Sequence, residues 1–350
     1  MGKKRQVKKQ EKEEENYMVK NGSILMEELM SSGNGKCNPI RCFSAKQLRT
    51  ATNNFQSHCK DFFGGNFFRA VLDNRSVLIK ISTGSLPTAE MACRDIAISS
   101  RMSSHSRVLK LLGCCLELPV PALVYEDAEV VQLNGIGGIG YDPSNKVSPT
   151  PSSFSWKIRV RIGKDIAHAL TYLHTAFSRS IIHCHVKATS VFLDKDLVPK
   201  LSDFSYSISI PEGETRVQSD RVMGTLGYIA PEYFKTLFVT EKSDVYGIGV
   251  LLLVLLTGKS FFVKQEADAV DIRIWVQQKS WDQTVDLKIL EEVRQMDEEQ
   301  QLQFHSQLQA FLNLALSCAR EEEENRPLMI DVAKELDRIH RTSSSAAAPP

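Results

Sequence analysis

The spacing of apolar residues divides this chain of 350 residues into two blocks of different character. In the first block, short runs of β-branched and aromatic residues dominate at 67–72 and 76–81, and the second run alternates around Lys80 as a strand does. One helix is predicted there, over 88–102. In the second block, apolar residues recur every three or four positions over 157–174, which indicates an amphipathic helix. The pattern predicts an α+β protein with a small β-rich lobe and a larger α-helical lobe.

The longest continuous apolar run of the sequence lies at 248–256. It is far shorter than the roughly 18 residues of a transmembrane helix, so it predicts a buried helix that begins near Asp244. Two amphipathic helices are predicted over 307–319 and 329–339.

The eight cysteines have no periodic spacing, which is typical of packing residues in a reducing compartment. A cytoplasmic location is therefore expected.

Charge is balanced over the whole chain but uneven at its start. With 43 Lys plus Arg against 42 Asp plus Glu, the net charge of +1 gives no support for nucleic-acid binding. A basic block ending at Lys9 runs into an acidic block from Glu11, which predicts a solvated and mobile tail up to Asn16. Gln6 stands where a myristoylation signal has Ser or Thr, so lipidation at Gly2 is not favoured. A peripheral position at the plasma membrane stays open.

The segment from Gly135 to Gly140 matches the pattern G-x-G-x-x-G of dinucleotide-binding proteins. That fingerprint requires a helix to begin at its end, so that backbone N–H groups meet the phosphates. Here the glycines open a stretch rich in Gly, Pro and Ser that extends to Ser155 and cannot begin a helix. We therefore predict a loop, and a dinucleotide enzyme is disfavoured.

Five short motifs follow one another in the second block. They are IIHCHVKATSVFLD at 181–194, KLSDFS at 200–205, GTLGYIAPEY at 224–233, SDVYGIGV at 243–250 and ENRP at 324–327. In this order they resemble the C-lobe of protein kinases, while VLIK at 77–80 and LVYEDA at 123–128 are similar to the family's lysine-bearing strand and hinge. The resemblance implies a bilobal protein-kinase-like fold. Its parts would be a charged N-terminal extension over 1–42, an N-lobe over 43–126, a C-lobe over 127–341 and a disordered tail over 342–350.

The residues at the catalytic positions differ from those that the chemistry needs. Phosphoryl transfer uses a lysine on the nucleotide phosphates, oxygen ligands for Mg²⁺ and an aspartate that accepts the proton of the attacking hydroxyl. By the resemblance, Lys80 would bind the phosphates and Asp203 would hold Mg²⁺. His185 stands at the position of the base, and Ser190 at that of the asparagine that binds the second Mg²⁺. The resemblance therefore implies no intact catalytic residue, no required cofactor, and weak binding of ATP and Mg²⁺ if they bind.

The loop that covers the nucleotide in kinases also departs from the family pattern. Lys60 and Phe62 stand about where its first two glycines belong, and bulky side chains there would hinder close approach to phosphates. Ser205 replaces the glycine that ends the DFG motif, which reduces the freedom of that hinge. The bulky residues of the covering loop predict that nucleotide affinity is low or absent.

The predicted helix offers two candidates for the acidic partner of Lys80, Glu90 and Asp95. Asp95 fits the family spacing better, although its side chain is shorter than the family's glutamate. With Asp203, Lys80 would form either a purely structural ion pair or a retained nucleotide site. The residues alone leave both interpretations standing.

Residues that support the kinase fold are retained. Glu232 and Arg326 resemble the family's buried carboxylate and guanidinium pair, and Asp244 resembles the aspartate that braces the catalytic loop. A metal cluster of residues 183–185 is disfavoured, because neighbouring side chains in an extended loop point in different directions. The scaffold is thus expected to fold while its catalytic site is degenerate.

Three segments narrow the family resemblance. IRCFSAKQLRTATNNF at 40–55, LKLLGCCLE at 109–117 and LTYLHTAFSRSIIH at 170–183 resemble plant receptor-like kinases of the wall-associated type. With the His-Cys-His loop and IPEGETRV at 210–217, the chain resembles the hopZ-ETI-deficient-related receptor-like cytoplasmic pseudokinases.

That resemblance implies an adaptor or decoy in plant immunity. Its partners would be a coiled-coil nucleotide-binding leucine-rich-repeat (NLR) immune receptor, receptor-like cytoplasmic kinases and pathogen effectors. Thr215, Ser219 and Thr225 would be the modification sites of its sensing surface. The alternative is a weakly active Ser/Thr protein kinase that uses Lys80 and Asp203 with a non-standard base.

Overall fold

The computed structural model describes residues 2–31, 40–56, 67–82, 88–135, 137–138, 154–265 and 268–345. The chain divides into two compact units, the first of which comprises Met1–Val130 and Ser202–Ser207. The second comprises Val131–Leu201 and Ile208–Pro350. Within the described residues, no helix combines the length and the apolar character that crossing a membrane requires.

The first unit is built on a five-stranded sheet. Its strands are β1 (Arg41–Cys42), β2 (Phe67–Leu72), β3 (Arg75–Lys80), β4 (Leu111–Cys115) and β5 (Ala122–Glu126). They lie in the order β1-β4-β5-β3-β2, with β1 parallel to β4 and the other pairs antiparallel. Since β3 pairs on both sides and its Val77, Leu78 and Ile79 are buried, it anchors the core of this unit.

Three helices accompany this sheet: α1 (Gly2–Ser31), α2 (Ala45–Ala51) and α3 (Ala89–Met102). The predicted helix over 88–102 is confirmed as α3, and Thr88 caps it by accepting a hydrogen bond from the backbone N–H of Met91. Ser44 begins α2 in the same way, in a reciprocal capping box with Gln47. Both helix starts follow from side chains that satisfy free backbone donors.

The predicted mobile tail is wrong where the structure describes it, because these residues form helix α1, which packs on α3. Asn21 is fully buried, and its Nδ2 donates to the carbonyl oxygens of Leu116 and Leu118, both at 2.8 Å. Leu25 is buried one turn later, and Glu28 pairs with Arg94 of α3 at 3.1 Å. The tail prediction relied on the charges of the first fifteen residues, whereas these contacts come from positions 21, 25 and 28, at helical spacing. Glu14, within the predicted tail, also pairs with Arg49 of α2.

We expect Asn21→Ala to lower the free energy of unfolding by about 1–3 kcal/mol, because two buried carbonyl groups lose their side-chain donor. Ser23→Ala, two residues away on an exposed part of α1, should change it by less than about 0.5 kcal/mol. Urea denaturation of both variants measures the difference. Equal midpoints would show that α1 is not anchored through Asn21.

The strands of the second unit form small sheets. They are β6 (Val131–Gln132), β7 (Ile181–Ile182), β8 (Val191–Leu193), β9 (Pro199–Leu201), β10 (Ile208–Ser209), β11 (Val217–Gln218), β12 (Phe238–Val239), β13 (Phe262–Gln265) and β14 (Asp268–Asp271). Strands β6, β8 and β9 form one sheet, and the others pair as β7 with β10, β11 with β12, and β13 with β14. In the sequence, β7 directly precedes the His-Cys-His loop and β10 follows the segment 203–205.

Most of the second unit is helical. Its helices are α4 (Trp156–Thr175), α5 (Pro231–Thr236), α6 (Glu241–Thr257), α7 (Ile272–Gln278), α8 (Trp281–Thr284), α9 (Leu287–Arg294), α10 (Glu298–Cys318) and α11 (Met329–Ser345). Helix α6 contains the long apolar run, is buried from Ser243 to Thr257, and packs against α4, α10 and α11. The buried helix predicted there is confirmed, as is the α+β fold with a β-sheet N-lobe and a helical C-lobe.

The helix bounds differ most from the sequence prediction at the start of α10 and at the end of α11. Helix α10 begins at Glu298 rather than 307, because Asp297 caps it in a box with Gln300. Helix α11 runs to Ser345, so the beginning of the predicted disordered tail is helical. The hydroxyl of Thr342 donates to the carbonyl oxygen of Ile339 at 2.8 Å, as within a helix.

The described part of the glycine-rich segment is a turn. The backbone N–H of Gly137 donates to the carbonyl oxygen of Asn134, and that of Gly138 to the side-chain oxygen of Asn134. Gly137 has φ 74°, a left-handed conformation that favours glycine. These residues agree with the predicted loop, while Gly140 lies outside the described residues.

Candidate functional site

Lys80 ends strand β3 and lies between two carboxylates of the first unit. Its Nζ is 2.8 Å from Oδ2 of Asp95 and 2.8 Å from Oδ1 of Asp203. Burial alone would lower the pKa of Lys80, but the charges of Asp203 and Asp95 outweigh this effect and hold the pKa well above its ordinary value. Lys80 is therefore a fixed cation in an ion cluster.

Asp95 connects Lys80 to the DFS segment. Its carboxylate is nearly fully buried on α3, and its Oδ1 accepts hydrogen bonds from the backbone N–H of Phe204 and the hydroxyl of Ser99, both at 3.1 Å. The prediction that Asp95 rather than Glu90 is the partner of Lys80 is confirmed, and Glu90 is exposed. One carboxylate thus ties α3, β3 and residues 203–205 together.

Asp203 adopts a left-handed conformation with φ 69°, immediately before a 3₁₀ turn over Phe204–Tyr206. The hydroxyl of Ser205 donates to Oδ1 of Asp203 at 2.7 Å, the same oxygen that Lys80 contacts. Phe204 is fully buried. A glycine at position 205 could not make this bond, so the substitution adds a contact that holds the carboxylate toward Lys80.

The contacts of the Asp203 carboxylate affect how well it could bind Mg²⁺. A carboxylate oxygen shared by Lys80 and Ser205 is less available to Mg²⁺, which needs near-ideal octahedral geometry and oxygen ligands. Among the described residues, there is no group of three or more His, Cys, Asp or Glu side chains that could hold a metal ion. Lys60 and Phe62 of the nucleotide-covering loop lie outside the described residues.

Asp244 organises the catalytic-loop motif in the second unit. Its fully buried carboxylate accepts hydrogen bonds from the backbone N–H groups of His183 at 2.8 Å and Cys184 at 2.9 Å, and lies 2.9 Å from Nε2 of His174. Cys184 has φ 60°, a strained conformation for a residue with a side chain. The bracing role that the sequence indicated for Asp244 is confirmed.

We expect Asp244→Asn to destabilise the chain by about 1–3 kcal/mol, because the amide NH₂ replaces an acceptor and leaves a buried backbone donor without its partner. Hydrogen exchange at the amides of His183 and Cys184 should accelerate more than that of the α10 amides. Equal acceleration in both places would contradict a local bracing role.

His185 is the residue that the family resemblance predicts at the position of the catalytic base. It is nearly buried, and its Nε2 lies 2.9 Å from the hydroxyl of Thr225. The ammonium of Lys187 donates to the same hydroxyl oxygen at 2.9 Å, so the hydroxyl proton of Thr225 is available to the imidazole. The imidazole offers no fixed negative charge to an attacking hydroxyl, which is what the aspartate of an active kinase supplies.

Ser190 closes the same loop from within. It is fully buried, and its hydroxyl donates to the backbone carbonyl of His185 at 2.8 Å. At the position that the resemblance assigns to the asparagine of the family, this chain has a short side chain that bonds its own loop. Position 190 is therefore a structural support for position 185.

The predicted modification sites differ in accessibility. Thr215 is exposed, whereas Ser219 is partly buried and donates to the backbone carbonyl of Arg221 at 2.8 Å. Thr225 is engaged by His185 and Lys187, a contact that sequence reasoning missed. The only sequence signal for it is the order of the motifs, because 40 residues separate His185 from Thr225.

The buried ion pair expected in the second unit is present. Nη1 and Nη2 of Arg326 lie 2.8 and 2.7 Å from the two carboxylate oxygens of Glu232, and the Arg326 side chain is fully buried. This bidentate pair links α5 to the segment before α11. The pair thereby fixes two segments that are 94 residues apart in the sequence.

Comparison with known proteins places these features in context. The model of the protein kinase domain matches residues 65–336. "Serine/threonine-protein kinase ZRK1" of Arabidopsis thaliana is 41% identical over 354 residues, covering 97% of this chain and 97% of the relative. From the same organism, "Non-functional pseudokinase ZED1" is 41% identical over 96% of this chain and 100% of the relative. "Non-functional pseudokinase ZRK2" is 39% identical over 96% and 93%.

Proposed function

Because the chain belongs to the protein kinase family and, within it, to the group of hopZ-ETI-deficient-related kinases and pseudokinases, we propose that it is a pseudokinase that acts through binding. The observation that carries this proposal is His185 at the base position, with its Nε2 against Thr225. Two similar proteins are named non-functional pseudokinases, and another is named a Ser/Thr kinase.

The residues at positions 185 and 190 support the proposed loss of phosphoryl transfer. Removing a general base costs roughly 10²–10⁴ in rate, and an imidazole at position 185 lacks the charge of the aspartate. The hydroxyl of Ser190 bonds the carbonyl of His185 instead of presenting an amide oxygen to Mg²⁺. Such losses are not additive, but together they reduce phosphoryl transfer to trace levels.

We expect the chain to show no Mg-ATP-dependent rise in melting temperature at millimolar nucleotide. A ligand at 100 times its dissociation constant would stabilise the fold by about 2.7 kcal/mol, which a thermal-shift assay detects. ATP with EDTA is the matched control. A rise that needs Mg²⁺ and is lost in Asp203→Ala would show that Lys80 and Asp203 form a nucleotide site, and would favour the alternative of a weakly active Ser/Thr kinase.

The binding role that we propose is that of an adaptor or decoy in plant immunity, located in the cytoplasm. It would link pathogen effectors, or receptor-like cytoplasmic kinases that effectors have modified, to a coiled-coil NLR immune receptor. The support is the family resemblance, together with a scaffold that keeps Asp244 and the Arg326–Glu232 pair while its catalytic positions are replaced. Exposed Thr215 is the most accessible of the three proposed modification sites.

Co-purification with a panel of coiled-coil NLR receptors, expressed in plant cells, tests the adaptor role. We expect the complex to form equally with and without EDTA, because binding does not need Mg-ATP. The variant His185→Asp/Ser190→Asn, which restores the family residues, should bind as well as the natural chain. A complex that requires Mg-ATP would contradict the adaptor proposal. So would a chain that binds none of the receptors in the panel.

A further inference from the structure

Two cysteines lie opposite each other at the edge of the first unit's sheet. Cys42 of β1 and Cys114 of β4 are partners in the parallel ladder, and the backbone N–H of Phe43 donates to the carbonyl oxygen of Cys114 at 2.8 Å. Neighbouring strands are about 4.8 Å apart. This spacing falls within the range of about 4.4–6.8 Å between the Cα atoms of a disulfide.

The close approach of the two strands depends on Gly113. A Cβ atom at this position would lie 2.2 Å from the carbonyl oxygen of Arg41 and 2.7 Å from the ring of Phe43. Gly113 and Arg41 are the ladder partners next to the cysteine pair. The absence of a side chain at 113 therefore lets β1 lie tightly against β4 and fixes which residue Cys42 faces.

The two thiols differ in exposure and in acidity. Cys42 is exposed and Cys114 is fully buried, and both are reduced in the structure. The neighbouring Cys114 side chain lowers the pKa of Cys42 through a hydrogen-bonding interaction, against the opposing effects of burial and Glu117. The same interaction raises the pKa of Cys114. Cys42 thus has the features of an oxidisable thiol. Cys114 is placed to react with it because the two are partners in the ladder.

We propose that Cys42 and Cys114 form a reversible intramolecular disulfide when the chain meets a peroxide. The Cys42 thiolate attacks one peroxide oxygen, so that an S–O bond forms, the O–O bond breaks, and hydroxide leaves and is protonated to water. The sulfur of Cys114 then attacks the sulfenic sulfur of Cys42, the S–S bond forms, and the S–O bond breaks with loss of a second water. Two thiols lose two electrons, and the peroxide gains them.

The bond would join the edge strand β1 covalently to β4. It would close the chain from Cys42 to Cys114, a loop that contains α2 and α3. Lys80 and Asp95 both lie within this loop. Oxidation would therefore limit local opening of the first unit, and reduction by a dithiol would restore it.

Peptide mapping after peroxide treatment of the full chain tests the proposal. The chain is exposed to hydrogen peroxide, alkylated without reduction, digested and analysed by mass spectrometry. We expect a linked peptide two hydrogens lighter than the sum of its parts, lost on dithiothreitol treatment, with fragment ions that assign the link to Cys114 rather than Cys115. Cys93 and Cys115 are buried and neither is the ladder partner of Cys42, so both should stay reduced.

Two variants separate this pair from general oxidation. Cys42→Ser changes an exposed residue and should abolish the linked peptide, whereas Cys184→Ser, in the second unit, should leave it unchanged. A link from Cys42 to Cys37, to Cys115 or to a second chain would overturn the proposal. So would conversion of Cys42 to sulfinic acid with Cys114 still alkylatable after unfolding, or full recovery of both thiols.

Discussion

Asp95→Ala is expected to lower the free energy of unfolding by about 3–5 kcal/mol, because it leaves the buried Lys80 ammonium short of one of its two carboxylates and the backbone N–H of Phe204 without its acceptor. Glu90→Ala, one turn earlier on α3 and exposed, should cost less than about 1 kcal/mol. Chemical denaturation of the two variants measures the contrast. Equal losses would mean that Asp95 does not hold the lysine.

A second variant shows whether the loss belongs to the ion cluster. Once Asp95 is alanine, adding Lys80→Met should cost much less than Lys80→Met does alone, since contacting residues are not additive. Additive losses would instead indicate that the two side chains act independently. That result would contradict the geometry in which Lys80 Nζ lies 2.8 Å from Asp95.

Arg326→Ala should also cost about 3–5 kcal/mol, in the second unit. The substitution leaves the Glu232 carboxylate without its bidentate partner, and it removes the guanidinium donors to the carbonyl groups of Arg320, Glu321 and Lys242. The guanidinium is fully buried, so water cannot replace it without disrupting the packing.

Arg338→Ala is a matched control for this pair. Arg338 also makes two hydrogen bonds to one carboxylate, that of Glu335, but it lies exposed on α11. Pairs of this kind contribute about 0–1 kcal/mol. If thermal unfolding shifted equally in the two variants, burial of the Arg326–Glu232 pair would not be what makes it stabilising.

Much of the fold follows from local pattern. The alternation around Lys80 predicts β3, the apolar run predicts α6, and Thr88 predicts the beginning of α3, because each signal lies within one element. The hairpin β13–β14 carries no such signal in its mixed sequence FVKQ and DAVD, and sequence reasoning missed it. The helix α1 was missed for the opposite reason, since its charge run suggested solvent while Asn21 and Leu25 supply the contacts.

In the candidate site, too, the sequence predicts the positions of residues better than the contacts of their side chains. Motif order alone predicts the positions of Lys80, Asp203 and His185, and spacing selects Asp95 over Glu90. The bond from Ser205 to Asp203, and the convergence of Lys187 and His185 on Thr225, depend on side-chain directions that one sequence does not reveal. These contacts show how Ser205 and His185 are accommodated in a packed structure.

Phosphoryl transfer from Mg-ATP, measured on the full chain against Lys80→Ala and Asp203→Ala, tests the account most directly. The substrates are the chain itself and a general Ser/Thr peptide, with an active receptor-like kinase as the positive control. We expect the natural chain to transfer no more phosphate than either variant, and His185→Asp alone not to restore transfer. Transfer by the natural chain that disappears in both Lys80→Ala and Asp203→Ala would contradict the pseudokinase proposal.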